Sequence, residues 1–111
     1  MNISFNGFGE NTVTFEADES LNAAGVPVRI TEDGKVAPCA EGDLVCGVAV
    51  NVREGFAAVQ LKGYVSLPAE GSVGYGWQNI TATADGKVQT SDNGTQVLVV
   101  SSEGDTVGFI L

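Results

Sequence analysis

Apolar and polar residues alternate with a period of two through most of this chain, and glycine-containing pairs interrupt the alternation at short intervals. A period of two puts every second side chain on one face of an extended strand, so the pattern predicts strands with one buried face. Met1, Ile3 and Phe5 alternate with Asn2, Ser4 and Asn6. Residues 1–10 therefore read as a first strand or an extended arm, with Gly7 and Gly9 loosening the backbone around Phe8. Val13 and Phe15 alternate with Thr12 and Thr14 in a second short strand. Residues 16–24, closed by Gly25, are the one stretch that suits a helical turn.

Beyond Gly25 the pattern is nearly all strand. Val26, Val28 and Ile30 alternate with Pro27, Arg29 and Thr31, and Pro27 suggests an edge position because it cannot donate to a ladder. Leu44, Cys46, Val48, Val50 and Val52 mark one face of the longest strand, with Val45, Gly47, Ala49, Asn51 and Arg53 on the other. Ala57, Val59 and Leu61 follow, then Val65 and Leu67, then Val73, Tyr75 and Trp77 among glycines. Val97 to Val100 reads as a strand buried on both faces, and Val107, Phe109 and Leu111 form a last one. Turns fall at 33–34, 54–55, 85–86 and 93–94, where Asp-Gly, Glu-Gly and Asn-Gly pairs tolerate positive φ. The fold predicted is all-β: a small barrel or sandwich of short antiparallel strands with at most one or two helical turns. It forms a single β-rich domain over residues 11–111.

Asp33-Gly34-Lys35-Val36 recurs as Asp85-Gly86-Lys87-Val88, and Gly42 and Val45 match Gly94 and Val97 at the same spacing. A favourable hairpin turn used twice explains so short an echo, with duplication as the alternative.

Composition narrows the function. Its 111 residues suffice for a core without metals or disulfides. The formal net charge of −9, with Arg29, Lys35, Arg53, Lys62 and Lys87 scattered, disfavours nucleic acid and anionic membranes as partners. Solubility through self-repulsion accounts for the acidity. The start of the chain has neither the basic residues nor the apolar run of a signal peptide, so synthesis in a cytoplasm is expected. Cys39 and Cys46 lack metal-site spacing and read as two small core hydrophobes.

Catalytic chemistry is sparse. There is no histidine, the side chain best suited to proton transfer near neutral pH. The acidic pairs (Glu16, Asp18 and Glu19; Glu32 and Asp33; Glu41 and Asp43; Glu103 and Asp105) sit beside apparent turns and read as solvated. No calcium-loop pattern is present, and nothing pairs a hydroxyl with Lys35, Lys62 or Lys87. Neither a metal, a cofactor nor a catalytic residue is expected. Tyr64, Tyr75 and Trp77 suit core or subunit packing; exposed together, they would favour stacking on a sugar.

The run Ala24-Gly25-Val26-Pro27-Val28, then Asp33-Gly34-Lys35-Val36, Glu41-Gly42-Asp43, Leu44-Val45-Cys46-Gly47-Val48-Ala49, Gly55 and Gly63-Tyr64-Val65 has a distinctive cadence. Over residues 20–111 it resembles the small bacteriophage capsid decoration, or cement, proteins. The resemblance implies a compact β-rich domain that forms homotrimers on the outer face of the head, binds the major capsid protein and stabilises the shell without an active site. The opening segment departs from the family. Its apolar residues Met1, Ile3, Phe5 and Phe8 are candidate assembly contacts, as an arm added to a neighbour's sheet edge. The expected role is therefore a non-enzymatic phage or prophage virion protein. The alternative is a carbohydrate-binding or adhesive β-domain, such as part of a tail fibre.

Overall fold

The computed structural model describes residues 11–111, which form ten strands and no helix. The strands are β1 (Asn11–Ala17), β2 (Pro27–Glu32), β3 (Lys35–Pro38), β4 (Gly47–Arg53), β5 (Phe56–Lys62), β6 (Tyr64–Pro68), β7 (Gly76–Ala82), β8 (Val88–Thr90), β9 (Thr95–Glu103) and β10 (Thr106–Ile110). The candidate arm contacts Met1, Ile3, Phe5 and Phe8 lie outside the described residues.

The first five strands close into a barrel in the order β1-β3-β2-β4-β5. Every pairing in it is antiparallel except β1 with β3, where Glu16 faces Lys35 and Ala17 faces Val36 in parallel. The last five form a sheet in the order β6-β10-β9-β7-β8. Beyond the end of β6, Ala69 makes a parallel bridge to Val88 of β8.

These two lobes are copies of one motif. The β2–β3 pairs Val28 with Pro38, Arg29 with Ala37 and Ile30 with Val36 recur in β7–β8 as Ile80 with Thr90, Thr81 with Gln89 and Ala82 with Val88. The parallel contact Ala17–Val36 recurs as Ala69–Val88. Val13 opposite Val59 and Phe15 opposite Ala57 recur as Val65 opposite Phe109 and Leu67 opposite Val107. Loop hydrogen bonds repeat too: Ala17 N–H to Gly55 O and Asp18 N–H to Val36 O match Ala69 N–H to Asp105 O and Glu70 N–H to Val88 O. A reused turn would repeat four residues, whereas the strand pairings here recur along the unit, with the β7–β9 register displaced by two residues relative to β2–β4. The echo is a structural repeat. Its Gly42 and Val45 matches do not extend into the strands, because the β3–β4 connection is longer than the β8–β9 one.

Each copy has its own core. Val28, Val36, Ala49, Ala57 and Val59 fill the first lobe with Leu21, and Phe15 packs against them. The matching Ile80, Val88, Val99, Val107 and Phe109 fill the second with Leu67 and Val65. The second core is the bulkier at four of these five positions, and it also draws Cys39, Val45 and Val48 from the first half. Val48 turns away from its own barrel, because its neighbour Ala49 points inward, and enters the core of the other lobe. One strand thus serves two cores.

Several expectations need correction. Residues 16–24 contain no helical turn: β1 runs through Ala17, and the tight turn after it is held by Asp18, whose carboxylate accepts from Ser20 N–H (3.0 Å) and Ser20 Oγ (2.6 Å). Pro27 is not on an edge strand, since β2 lies between β3 and β4; it occupies the first position of the strand, where a missing N–H does no harm. The two-faced reading of residues 44–53 fails on both sides. β4 begins only at Gly47, leaving Leu44 and Cys46 exposed, and a bulge at Val50 reverses the phase. Val52 therefore packs on the first core beside Ala49, while Val50 faces outward. In β9 Val97 and Val99 are buried, but Leu98 and Val100 are only half-buried.

Candidate contact surfaces

Asp18 and Asp43 shape turns, and Glu41 bridges the two lobes. Asp43 Oδ2 accepts from Ala40 N–H (2.8 Å) and lies 3.6 Å from Arg29 Nε. Glu41 spans the two lobes: Oε1 accepts from Ala84 N–H (3.1 Å) and Oε2 from Gln89 Nε2 (2.9 Å). Beside it, Gly42 N–H donates to Ala82 O and Ala82 N–H donates to Asp43 O, so the longer β3–β4 connection is stitched onto β7. The two Ser20 hydrogen bonds hold the Asp18 carboxyl below the usual carboxylate range. Among the described residues, no group of three or more carboxylates and thiols is placed to hold a metal ion.

The two cysteines divide. Cys39 is buried in the second core, and its Sγ lies 3.7 Å from Leu44 O. Desolvation, reinforced by the Asp43 carboxylate, pushes this thiol up to about 12. Cys46 is exposed, because it precedes the strand that was to bury it, and both thiols are free.

The aromatic residues also separate. Tyr64 is half-buried and its ring covers the backbone at Gly108, filling the space a side chain would need there. Tyr75 and Trp77 are 69% and 66% exposed, so of the two expected placements, core or subunit packing, the core is excluded for them. The reason is a break in phase. Val73 is buried, but residues 74–75 belong to no strand, so alternation does not govern Tyr75, and β7 begins only at Gly76 (φ 81°) and carries Trp77 on its outer face. Alternation along the string Val73, Tyr75, Trp77 carries no information about that break. On the outer face Trp77 stands opposite Leu98, which in turn stands opposite Ile110. Beside the indole lies an open groove of about 450 Å³, lined by Gln78, Asn79, Thr90, Ser91, Asp92 and Gln96.

A second apolar surface lies on the first lobe, where Val13 and Ile30 are 41% and 48% exposed. Exposed large side chains therefore occur on both lobes: Trp77 on the outer face of β7, and Val13 and Ile30 on β1 and β2 opposite the buried Val59 and Val36. That arrangement suits contact with another protein surface better than chemistry on a small substrate. No protein-family model and no curated protein matches the chain.

Proposed function

We propose that this chain is a phage or prophage virion protein that decorates the outer surface of the capsid and stabilises it without catalysis. Its partners are the major capsid protein and further copies of itself. The observation that carries the reading is the exposure of large apolar side chains on both lobes, Val13 and Ile30 on the first and Trp77 on the second. Burying each large side chain of such a face contributes about 1.5–3 kcal/mol before ordering costs. Several copies bound together add avidity. The residues behind the decoration-protein resemblance fit structural positions of the motif: Asp33-Gly34 turns β2 into β3, and Gly63-Tyr64 joins the two lobes.

Purified heads of the phage or prophage that carries the gene, stripped of this chain, provide the test. Adding the chain back should give saturable, stoichiometric binding and heads that withstand higher temperature. Absence of binding at saturating concentration, or a gene lying apart from any head genes, overturns the reading.

A second reading, glycan binding, is favoured by the Trp77 groove. An exposed indole offers a flat apolar platform for a sugar ring, and the amides of Asn79 and Gln96 with the Asp92 carboxylate match sugar hydroxyls. Quenching or a blue shift of Trp77 emission on titrating oligosaccharides would support it, and an unchanged spectrum across a glycan panel would exclude it.

A further inference from the structure

The contact between the two lobes has two sides, and the repeat supplies each lobe with both. The first side is the outer row Pro27–Val48–Gln60, whose members pair in register on β2, β4 and β5. All three are buried, with Val48 in the core of the second lobe and Gln60 Nε2 donating to Tyr64 O (3.0 Å). The other side belongs to the second lobe. Val65, 5% exposed, lines a groove with Val48, Val50 and Gln60, and fully buried Ala82 is hydrogen-bonded to the β3–β4 connection.

Each of these positions has a counterpart in the other copy of the motif, and there no second lobe covers it among the described residues. The Val48–Gln60 pair, two residues before the bulge at Val50, corresponds to the Leu98–Ile110 pair, two residues before the bulge at Val100. The repeat counterpart of Pro27 is Asn79, but the β7–β9 register is displaced by two residues, so the residue opposite Leu98 is Trp77. The row Trp77–Leu98–Ile110 is thus the second lobe's version of the covered row. It is more apolar than the original, and Trp77 is 66% exposed. On the other side, Val65 corresponds to Val13 through their partners Phe109 and Val59, and Ala82 to Ile30 through Val88 and Val36. Val13 and Ile30 are among the exposed large hydrophobic residues, at 41% and 48%.

We propose that these two unfilled sides meet between copies of this chain: the Trp77–Leu98–Ile110 row of one copy packs on the Val13 and Ile30 face of the next. The contact repeats between molecules the strand-row part of the one that joins the lobes within a molecule; the long β3–β4 connection that completes the internal contact has no equally long counterpart between β8 and β9. Repeat units bury their faces on neighbours, and terminal units of stable arrays carry polar caps. Here both terminal faces are apolar. The contact is heterologous, so it closes into a ring or extends into a filament. The pairing of these two surfaces is set by this chain's own residues, whether or not the assembly sits on a capsid.

The test is solution mass by light scattering on the full chain, with no capsid present. Wild type should be an oligomer. Ile30→Asp and Trp77→Glu, both at exposed positions, should each weaken association at least tenfold while leaving the far-ultraviolet circular dichroism unchanged. An equimolar mixture of the two variants should recover a heterodimer, because one keeps the second-lobe row and the other keeps the first-lobe face. Val13→Asp and Trp77→Ser replace either variant if it fails to fold. A monomeric wild type, an oligomer indifferent to both substitutions, or one broken by the Trp77 variant alone overturns the proposal; the last would mark a symmetric contact between second lobes.

Discussion

Val50 and Val100 occupy the same place in two copies of one motif: each is the unpaired residue of a β-bulge between the fourth and fifth strands of its lobe. Before the bulge in β4, Val48 points out and Ala49 in; before the bulge in β9, Leu98 points out and Val99 in. A bulge adds local twist and reverses the phase of alternation beyond it. Recurrence at matched positions ties the curvature of both lobes to the same device.

Shared burial between the lobes bears on stability. Val48, Cys39 and Val45 of the first half lie in the second core, so neither half buries its apolar surface alone. Urea unfolding should be a single transition, with circular dichroism and Cys39 labelling coinciding. Phe109→Ala should cost about 3–5 kcal/mol and its counterpart Val59→Ala about 2 kcal/mol, since the larger side chain leaves the larger cavity. Both residues are essentially inaccessible to solvent.

Gly94 and Gly108 should respond differently to alanine. A Cβ at Gly94 would collide with the backbone of Ile80 in β7, which is tied into the sheet. A Cβ at Gly108 would meet the hydroxyl end of the Tyr64 ring, which can rotate aside. We expect Gly94→Ala to destabilise by about 1–3 kcal/mol and Gly108→Ala by less. Thermal melts of the two variants, with Gly108→Ala in a Tyr64→Leu background as a control, measure the difference.

The thiols should differ in reactivity. With Cys39 pushed up to about 12 and buried, its thiolate is scarce at neutral pH. Cys46 is exposed. Iodoacetamide at pH 7.5 should modify Cys46 alone in the folded protein and both residues in urea, as peptide mass spectrometry would show.

The Asp18 turn predicts a pH dependence. Its carboxyl is held below the usual range by the two Ser20 hydrogen bonds, so the folded state binds this proton less readily than the unfolded chain. The stabilisation is present above the ordinary carboxylate pKa and is lost as pH falls through the depressed folded value. Ser20→Ala should raise the Asp18 pKa toward its ordinary value, as carboxyl-carbon NMR titration would report. The variant should also lose part of the wild-type stability difference between neutral and acidic pH.

Local pattern alone determined the strands and their turns. Alternation marks β1, β2, β5, β6 and β10, and the glycine pairs at 33–34, 54–55, 85–86 and 93–94 fall between strands. These are properties of neighbouring residues, set by the pleat and by which residues accept positive φ. The repeat was legible in only four residues, because matched core positions carry different side chains: Ala49 and Val99, Ala57 and Val107, Val59 and Phe109. The strand pairings recur while volumes change, since each core must fill a space of its own size. The bulges were not legible at all. A run such as Val48-Ala49-Val50 is compatible with either phase, and only the partner strand decides which valine points inward. Tertiary structure likewise decided the surfaces. Val48 and Leu98 are equivalent apolar residues on outward faces, yet Val48 is buried by the second lobe while Leu98, half-buried, has no third lobe among the described residues to cover it. Burial there depends on what packs against a face from far along the chain, and local alternation carries no record of that contact.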